Sequence, residues 1–247
     1  VETVTWVPTL PKPWVRSRDG KEIALLETGT GTLPEGWQFP EPVECVAADG
    51  VTTTHGLLFK PFGYEAGKTY PLIDQIYGGP QVNNVPHSSF ADGSLGSGTY
   101  LDAMHLSSLG AWVLVLDGRG TANREQAFRT ASYRAAHTAS NLEDHVAAIR
   151  QLAERTGEID LDRVGITGFS GGGYMTAHAA LRFGDVFKVS VAGGGNYDQA
   201  LFWHSWGERY HGPYDPDHYA TQAVKTYADG LTGKLLVVHG QLDFGCH

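Results

Sequence analysis

The sequence predicts an α/β architecture, a mostly parallel sheet with helices on both faces. Three observations carry that expectation. Continuous apolar runs recur at residues 71 to 78 (PLIDQIYG), 111 to 118 (AWVLVLDG), 163 to 169 (RVGITGF), 187 to 194 (FKVSVAGG) and 234 to 240 (KLLVVHG); runs without polar alternation suit strands covered on both faces. Helical patterns lie between several of these runs, and strands alternating with helices fold as a parallel sheet wrapped by its crossovers. The chain has 247 residues, 41% of them apolar, enough to close one large domain of this kind or a smaller one with an appendage.

Taken in order, residues 1 to 41 stand apart from residues 42 to 247. Short strand-like runs (ETVTWV, KEIALLE) are separated by PKP, RDG and a loop rich in Gly and Pro, TGTGTLPEGWQFPEP. Pieces of antiparallel sheet this small do not bury a core alone. From Val43 two strand-like runs meet at Asp49-Gly50, a dipeptide suited to a tight hairpin. The clearest helix is SNLEDHVAAIRQLAERTG: Ser140 and Glu143 form a capping box, Leu142, Val146, Ile149 and Ala153 share a face, and Gly157 stands beyond the end.

Composition excludes several function classes. Acidic residues outnumber basic ones by 27 to 18 with no basic run, so the electrostatic footprint of a nucleic-acid binder is missing. Cys45 and Cys246 are far apart and outside any CxxC pattern, which argues against a disulfide framework and a thiolate metal site. No pair of histidines has HExxH spacing, and neither a metal nor an organic cofactor is implied. No run of about 20 apolar residues marks a membrane segment in this chain, and its first residues have neither the basic region nor the apolar core of a signal peptide.

The sharpest chemical signal is VGITGFSGGGYM, in which residues Gly168 to Gly172 fit G-x-S-x-G between an apolar run and a helical stretch, YMTAHAALRF. A serine on a tight strand-to-helix turn needs small neighbours, because the two backbones approach closely. The same turn lifts the Ser170 hydroxyl above the sheet and aims helix N-terminal amides at the carbonyl it attacks. Gly and Ser also make plain flexible loops; the strand before and the helix after are what favour the catalytic reading. A dinucleotide-binding loop does not fit, since the sixth position counted from Gly171 is Thr176. Tyr77, leaving the end of an earlier strand in QIYGGP, is a candidate to share an oxyanion with the Gly171 amide; its plain alternative is a half-buried core aromatic.

The motifs YPLIDQIYGGP, VLVLDGRGT, RVGITGFSGGGYM, NYD...ERYHG and LLVVHGQLD, in this order and spacing, resemble the catalytic domain of the prolyl oligopeptidase family of serine peptidases, nearest its dipeptidyl-peptidase IV branch. The resemblance covers nearly all of residues 43 to 247 and implies an α/β-hydrolase fold. Residues 1 to 41 are similar to the last strands of the β-propeller that precedes this domain in the family. Carried over, the resemblance implies Ser170 as nucleophile, Asp243 as triad acid, and Tyr77 with the Gly171 amide as oxyanion hole. It implies peptides as substrate, Tyr197 in the pocket for the residue before the scissile bond, and Trp203 and Trp206 as replacements within the longer segment QALFWHSWG. A periplasmic or secreted location is slightly favoured on the same ground. This sequence departs from that branch at two positions tied to proline specificity: Gly171 stands where the branch usually has Tyr, and Gly245 where it often has a substrate-binding Asn. Asp117 and Arg119, in DGRGT, read as internally paired residues that shape a turn.

One member of the triad is not found. In this fold the histidine follows the acid, and only four residues follow Asp243. His247 does not correspond to the base, and His105, His137, His145, His178, His204 and His211 read as surface or satisfied polar residues. The base, the last strand and the last helix are therefore expected to lie beyond the sequence, leaving this form with little or no activity, since loss of a triad base costs roughly a millionfold in kcat. An uncovered KLLVVHG strand is also expected to promote instability or association, a homodimer being one outcome. Within the hydrolases a carboxylesterase remains the alternative, and outside them a non-catalytic binding module on the same frame.

Overall fold

The computed structural model describes residues 2–4, 7–29, 31–90 and 97–246. Its N-terminal part is a three-stranded antiparallel sheet of β1 (Glu2–Val4), β2 (Lys12–Arg16) and β3 (Glu22–Leu25). The PKP stretch, expected as a separator, lies partly inside β2, where Pro13 pairs with Thr3 of β1 and its carbonyl accepts from Leu26 N–H. Proline cannot donate, but its carbonyl still serves the ladder. The Gly/Pro-rich loop that follows is anchored by Trp37, packed edge-on against Phe39 at 4.8 Å between centroids and near Phe90.

The main body is a seven-stranded sheet ordered β10-β9-β8-β6-β7-β5-β4. Its strands are β4 (Glu41–Val46), β5 (Thr53–Phe59), β6 (Tyr70–Gln75), β7 (Trp112–Asp117), β8 (Ile159–Phe169), β9 (Phe187–Gly193) and β10 (Lys234–Val238). The five strands from β10 to β7 run parallel, and the β4–β5 pair joins antiparallel. The β4–β5 connection is wider than a two-residue turn. It spans residues 47 to 52, closed by Ala47 N–H to Thr52 O, and Asp49 Oδ1 accepts from the Val51 and Thr52 amides. Only Gly50 of the dipeptide takes a positive φ, +77°, so the carboxylate bonds of Asp49 do the work that a two-residue hairpin would give to geometry.

β7 shows why its apolar run does not alternate. Trp112, Leu114 and Leu116 point into one core, with helices α3 (Leu142–Thr156) and α4 (Gly171–Arg182), while Val113 and Val115 point into the other, with Tyr100 and Ala103 of α1 (Ser97–Ser107). Successive strand residues face opposite sides, so a strand covered on both must be apolar throughout. β10 is not covered on both faces as its apolar run alone suggests; as expected of an uncovered KLLVVHG strand, it lies at the sheet edge, and Leu236, Val237 and Val238 are exposed.

Beyond the short helix α2 (Gln126–Arg129), helix α3 is capped by Asn141, whose side chain accepts from Glu143 N–H, and ends at Gly157 in the left-handed region. Ser140 is not the cap. With φ +52° its hydroxyl turns inward to His145 Nε2 at 2.9 Å and to the Gly118 amide. His145 Nδ1 in turn meets Asp74 Oδ2 at 2.8 Å, all three residues being fully buried. This chain of bonds ties α3 and the end of β7 to β6, three residues before Tyr77. Arg119 and Asp117 are each paired, but separately: Arg119 bonds Asp144 and Asp49, and Asp117 accepts from the Asn84 and Val85 amides, with burial pushing its carboxyl up. Among the described residues no helix is long and apolar enough to cross a membrane.

Candidate functional site

Ser170 sits at the junction of β8 and α4 with φ +58° and ψ −118°, a conformation that costs a non-glycine residue on the order of 1–3 kcal/mol and persists only where the surroundings enforce it. The enforcement is visible: Ser170 N–H donates to Gly193 O at 2.9 Å, and Ser170 O accepts from Tyr174 N–H at 3.0 Å, the first turn of α4. The flanking glycines are obligatory for packing. A Cβ on Gly168 would stand 2.5 Å from the Ile76 carbonyl oxygen, and one on Gly172 would collide with the same oxygen. Strand β6 and helix α4 are thus pressed against the turn from either side.

The segment that leaves β6 lies directly against this turn. The Cβ position of Gly171 is 3.3 Å from the Gly78 carbonyl, Gly78 packs on Met175, and Gly79 packs on the Tyr77 ring. Tyr77 and Ser170 line two cavities together. One, about 60 Å³, is walled by Gly171, Tyr174, Phe202, Trp206 and Cys246, with Asn196 and Gln199 bonded to each other at 2.7 Å. The other, about 740 Å³, opens toward Asp102 and His105. Gly171 is the first residue of α4, so its amide has no acceptor within the helix and is open to an incoming oxygen.

Of the residues named from the sequence, Ser170, Gly171, Tyr77 and Trp206 come together at the small cavity. Tyr197 and Trp203 do not line it. The Tyr197 hydroxyl is turned to Ala192 O at 3.3 Å, and burial raises its pKa; Trp203 is exposed and stacks on Phe202. The 3₁₀ turn Gln199–Leu201 and helix α5 (His204–His211) bring Phe202 and Trp206 inward instead. Phe202 was legible only as one aromatic among several in QALFWHSWG, and Asn196, Gln199 and Cys246 carry no sequence signal of their own.

Asp243 is held by its loop, its Oδ1 accepting from the Gly245 and Cys246 amides at 2.9 Å each. His239 lies 4.0 Å from Asp243 Oδ2, with its Nε2 donating to Cys246 O at 2.7 Å. His247 lies outside the described residues. Among those described, no histidine forms a hydrogen bond with Ser170 Oγ, and no group of three or more His, Cys, Asp or Glu side chains is arranged to hold a metal. The other histidines are not uniformly satisfied. His178 Nδ1 and both nitrogens of His211 are buried without a partner, and burial lowers the two pKa values to about 3 and about 4.

Comparison with known proteins shows the family of the chain. The profile of the Prolyl oligopeptidase family matches residues 99–247. Human dipeptidyl peptidase 8 (Homo sapiens) is 34% identical over 230 residues, which is 91% of this chain and 24% of that protein. The mouse prolyl endopeptidase FAP (Mus musculus) is 32% identical over 252 residues, 99% of this chain and 32% of that protein. A crystal structure of a dipeptidyl aminopeptidase IV-like protein of Bacteroides ovatus superposes with a TM-score of 0.84 at 29% identity, covering 96% of this chain and 33% of that one. The chain thus spans about a quarter to a third of the length of these relatives. Its mostly parallel sheet, with a serine at the β8–α4 turn, is that of an α/β-hydrolase, and the chain belongs to the prolyl oligopeptidase family of serine peptidases.

Proposed function

We propose that this chain carries the acyl-transfer site of a dipeptidyl- or prolyl-type aminopeptidase, with Ser170 as the nucleophile. The observation that carries the reading is the strained Ser170 turn facing the same small cavity as Tyr77 and the Gly171 amide. Attack of Ser170 Oγ on a peptide carbonyl would place the developing oxyanion between the Tyr77 hydroxyl and the Gly171 N–H, the two donors proposed to stabilise it. The scissile amine then leaves with a proton and the acyl group stays on Ser170 until water releases it. Phe202, Trp206 and Tyr174 make the cavity apolar, and its size suits a small side chain before the scissile bond.

Asp243, its carboxylate fixed by two amides, is proposed to orient the histidine that takes the Ser170 proton. No described histidine is bonded to Ser170, so the 247 residues alone are proposed to turn over at most slowly. Residues 1–41 are proposed to be the end of a preceding β domain and residues 42–247 the hydrolase domain, in keeping with the separate three-stranded sheet.

The test is active-site labelling. A fluorophosphonate probe on the complete gene product is expected to modify Ser170, and Ser170→Ala to abolish the signal. No labelling at that position would overturn the reading and favour a binding module. Turnover of p-nitrophenyl esters or Xaa-Pro substrates at an ordinary enzymatic rate by the 247-residue chain would show that one of its own histidines serves as base. Cleavage of esters but of no peptide by the complete product would instead indicate a carboxylesterase.

A further inference from the structure

Beside the two cavities at Ser170 lies a third that the proposed chemistry does not use. It measures about 580 Å³ and is lined by Arg124, Arg129 and Arg209 together with Gln81, Tyr133 and Tyr210, and no acidic residue contributes to its wall. Three guanidiniums around one cavity are conspicuous in a chain of formal net charge −9, since arginine keeps its charge at any working pH. Arg124 is already committed: it donates to Thr53 O at 2.6 Å, meets Glu125, and lies over the Phe128 ring at 4.0 Å. Arg129 and Arg209 form no ion pair among the described residues, and both are exposed. Their forked donors are available to an anion.

The position of this cavity relates it to the substrate. Gln81 belongs to its wall and to the wall of the small cavity at Ser170. Helix α5 serves both, with Trp206 at the small cavity and Arg209 and Tyr210 at the cationic one, the Trp206 and Tyr210 rings standing 4.8 Å apart. Residues three and four apart share a helix face about one 5.4 Å turn apart, and an extended peptide advances roughly 3.3 Å per residue. A chain bound at Ser170 would therefore reach the arginines within a few residues of its reacting carbonyl.

We propose that the Arg129–Arg209 cavity is a subsite for a carboxylate of the peptide substrate, giving the enzyme a preference for acidic residues near the scissile bond. It rests on the peptidase reading above, but its test does not require catalysis. Isothermal titration on the 247-residue chain and on its Ser170→Ala variant would use amidated hexapeptides beginning Ala-Pro, with one glutamate moved through the remaining positions, each against its glutamine counterpart. A glutamine peptide with a free C-terminal carboxylate separates a side-chain carboxylate from a terminal one. One glutamate position, or the terminal carboxylate, is expected to bind about tenfold more tightly than its neutral counterpart. The gain should shrink with added salt and disappear in Arg129→Gln with Arg209→Gln, whose melting should match the parent. Should the melting differ, Arg129→Lys with Arg209→Lys, which keeps the charge, must retain a salt-sensitive preference. Equal binding of glutamate and glutamine peptides at every position, or a preference that survives loss of both arginines, would overturn the subsite. Failure of Ser170 to label, by contrast, would remove only the catalytic reading.

Discussion

At the scale of single residues the site is defined by what is missing as much as by what is present. Ser170 holds φ +58° because Gly168 and Gly172 leave no Cβ to push β6 away. Adding one methyl at Gly168 would drive it into the Ile76 carbonyl at 2.5 Å, and backbone oxygen cannot yield as a side chain can. Gly168→Ala is expected to destabilise the fold by about 1–3 kcal/mol and to reduce Ser170 labelling in whatever fraction remains folded. Chemical denaturation and probe labelling of the same preparation would check both; an unchanged midpoint would show that the turn relaxes more easily than its packing implies. Packing is looser at Gly171, whose Cβ position lies 3.3 Å from the Gly78 carbonyl, so the position proposed to face the substrate is the more tolerant of the two.

Among the secondary elements, helix α4 has the least ordinary interior. His178 on its buried face is surrounded by His137 of the 3₁₀ turn Ala136–Thr138, by Tyr174 and Arg182 of its own helix, by Tyr227, and by the Gln222 carbonyl ending α6 (Pro216–Gln222). His211 at the end of α5 faces His218, Trp206 and Tyr219. Burial holds both below the ordinary histidine value, to about 3 and about 4, reinforced at His178 by nearby His137 and Arg182. Unfolded chains take up protons at these positions near pH 6.5 whereas the folded chain does not. Stability contributed by the neutral rings is thus complete above pH 6.5 and lost as pH falls toward 4, by up to about 1.4 kcal/mol per pH unit for each ring. The thermal midpoint should drop between pH 7.5 and 4.5, and more steeply than in His178→Gln. A parallel course for the two proteins would place the acid sensitivity elsewhere. His145 does not join this group, since its bond to the Asp74 carboxylate opposes desolvation and raises its pKa.

For the molecule as a whole, the uneven cover of the sheet has the clearest consequence. Strand β7 is sealed on both faces, yet β10 at the edge leaves Leu236, Val237 and Val238 exposed, with Leu242 and Phe244 beyond. Unpaired strand edges with apolar side chains template pairing with another chain. Sedimentation equilibrium of the 247-residue chain at micromolar concentration is expected to show self-association, and Val237→Lys to shift it toward monomer. A monodisperse monomer at all concentrations would show that the edge is protected by its twist or by the loop after it.

What the sequence determined by itself was whatever depends on local order. Unbroken apolar runs announced strands with two covered faces, and G-x-S-x-G between a strand and a helix announced the turn at Ser170, because only small residues permit that approach. Local reading erred where a side chain had two partners to choose from. Ser140 looks like a cap, yet its hydroxyl goes to His145, and Asn141 caps in its place. The apolar pattern alone does not distinguish β10 from β7, but the expectation that KLLVVHG is uncovered agrees with its place at the edge of the strand order. Pattern alone does not settle the cavities either. Trp206 turns toward Ser170 while Trp203 faces solvent, and Arg129 meets Arg209 across eighty residues, because helix α5 packs beside the segment after Tyr77. Propensity and pattern fix which elements form; which side chains share a cavity is settled by how those elements pack, a long-range matter no short window of sequence contains.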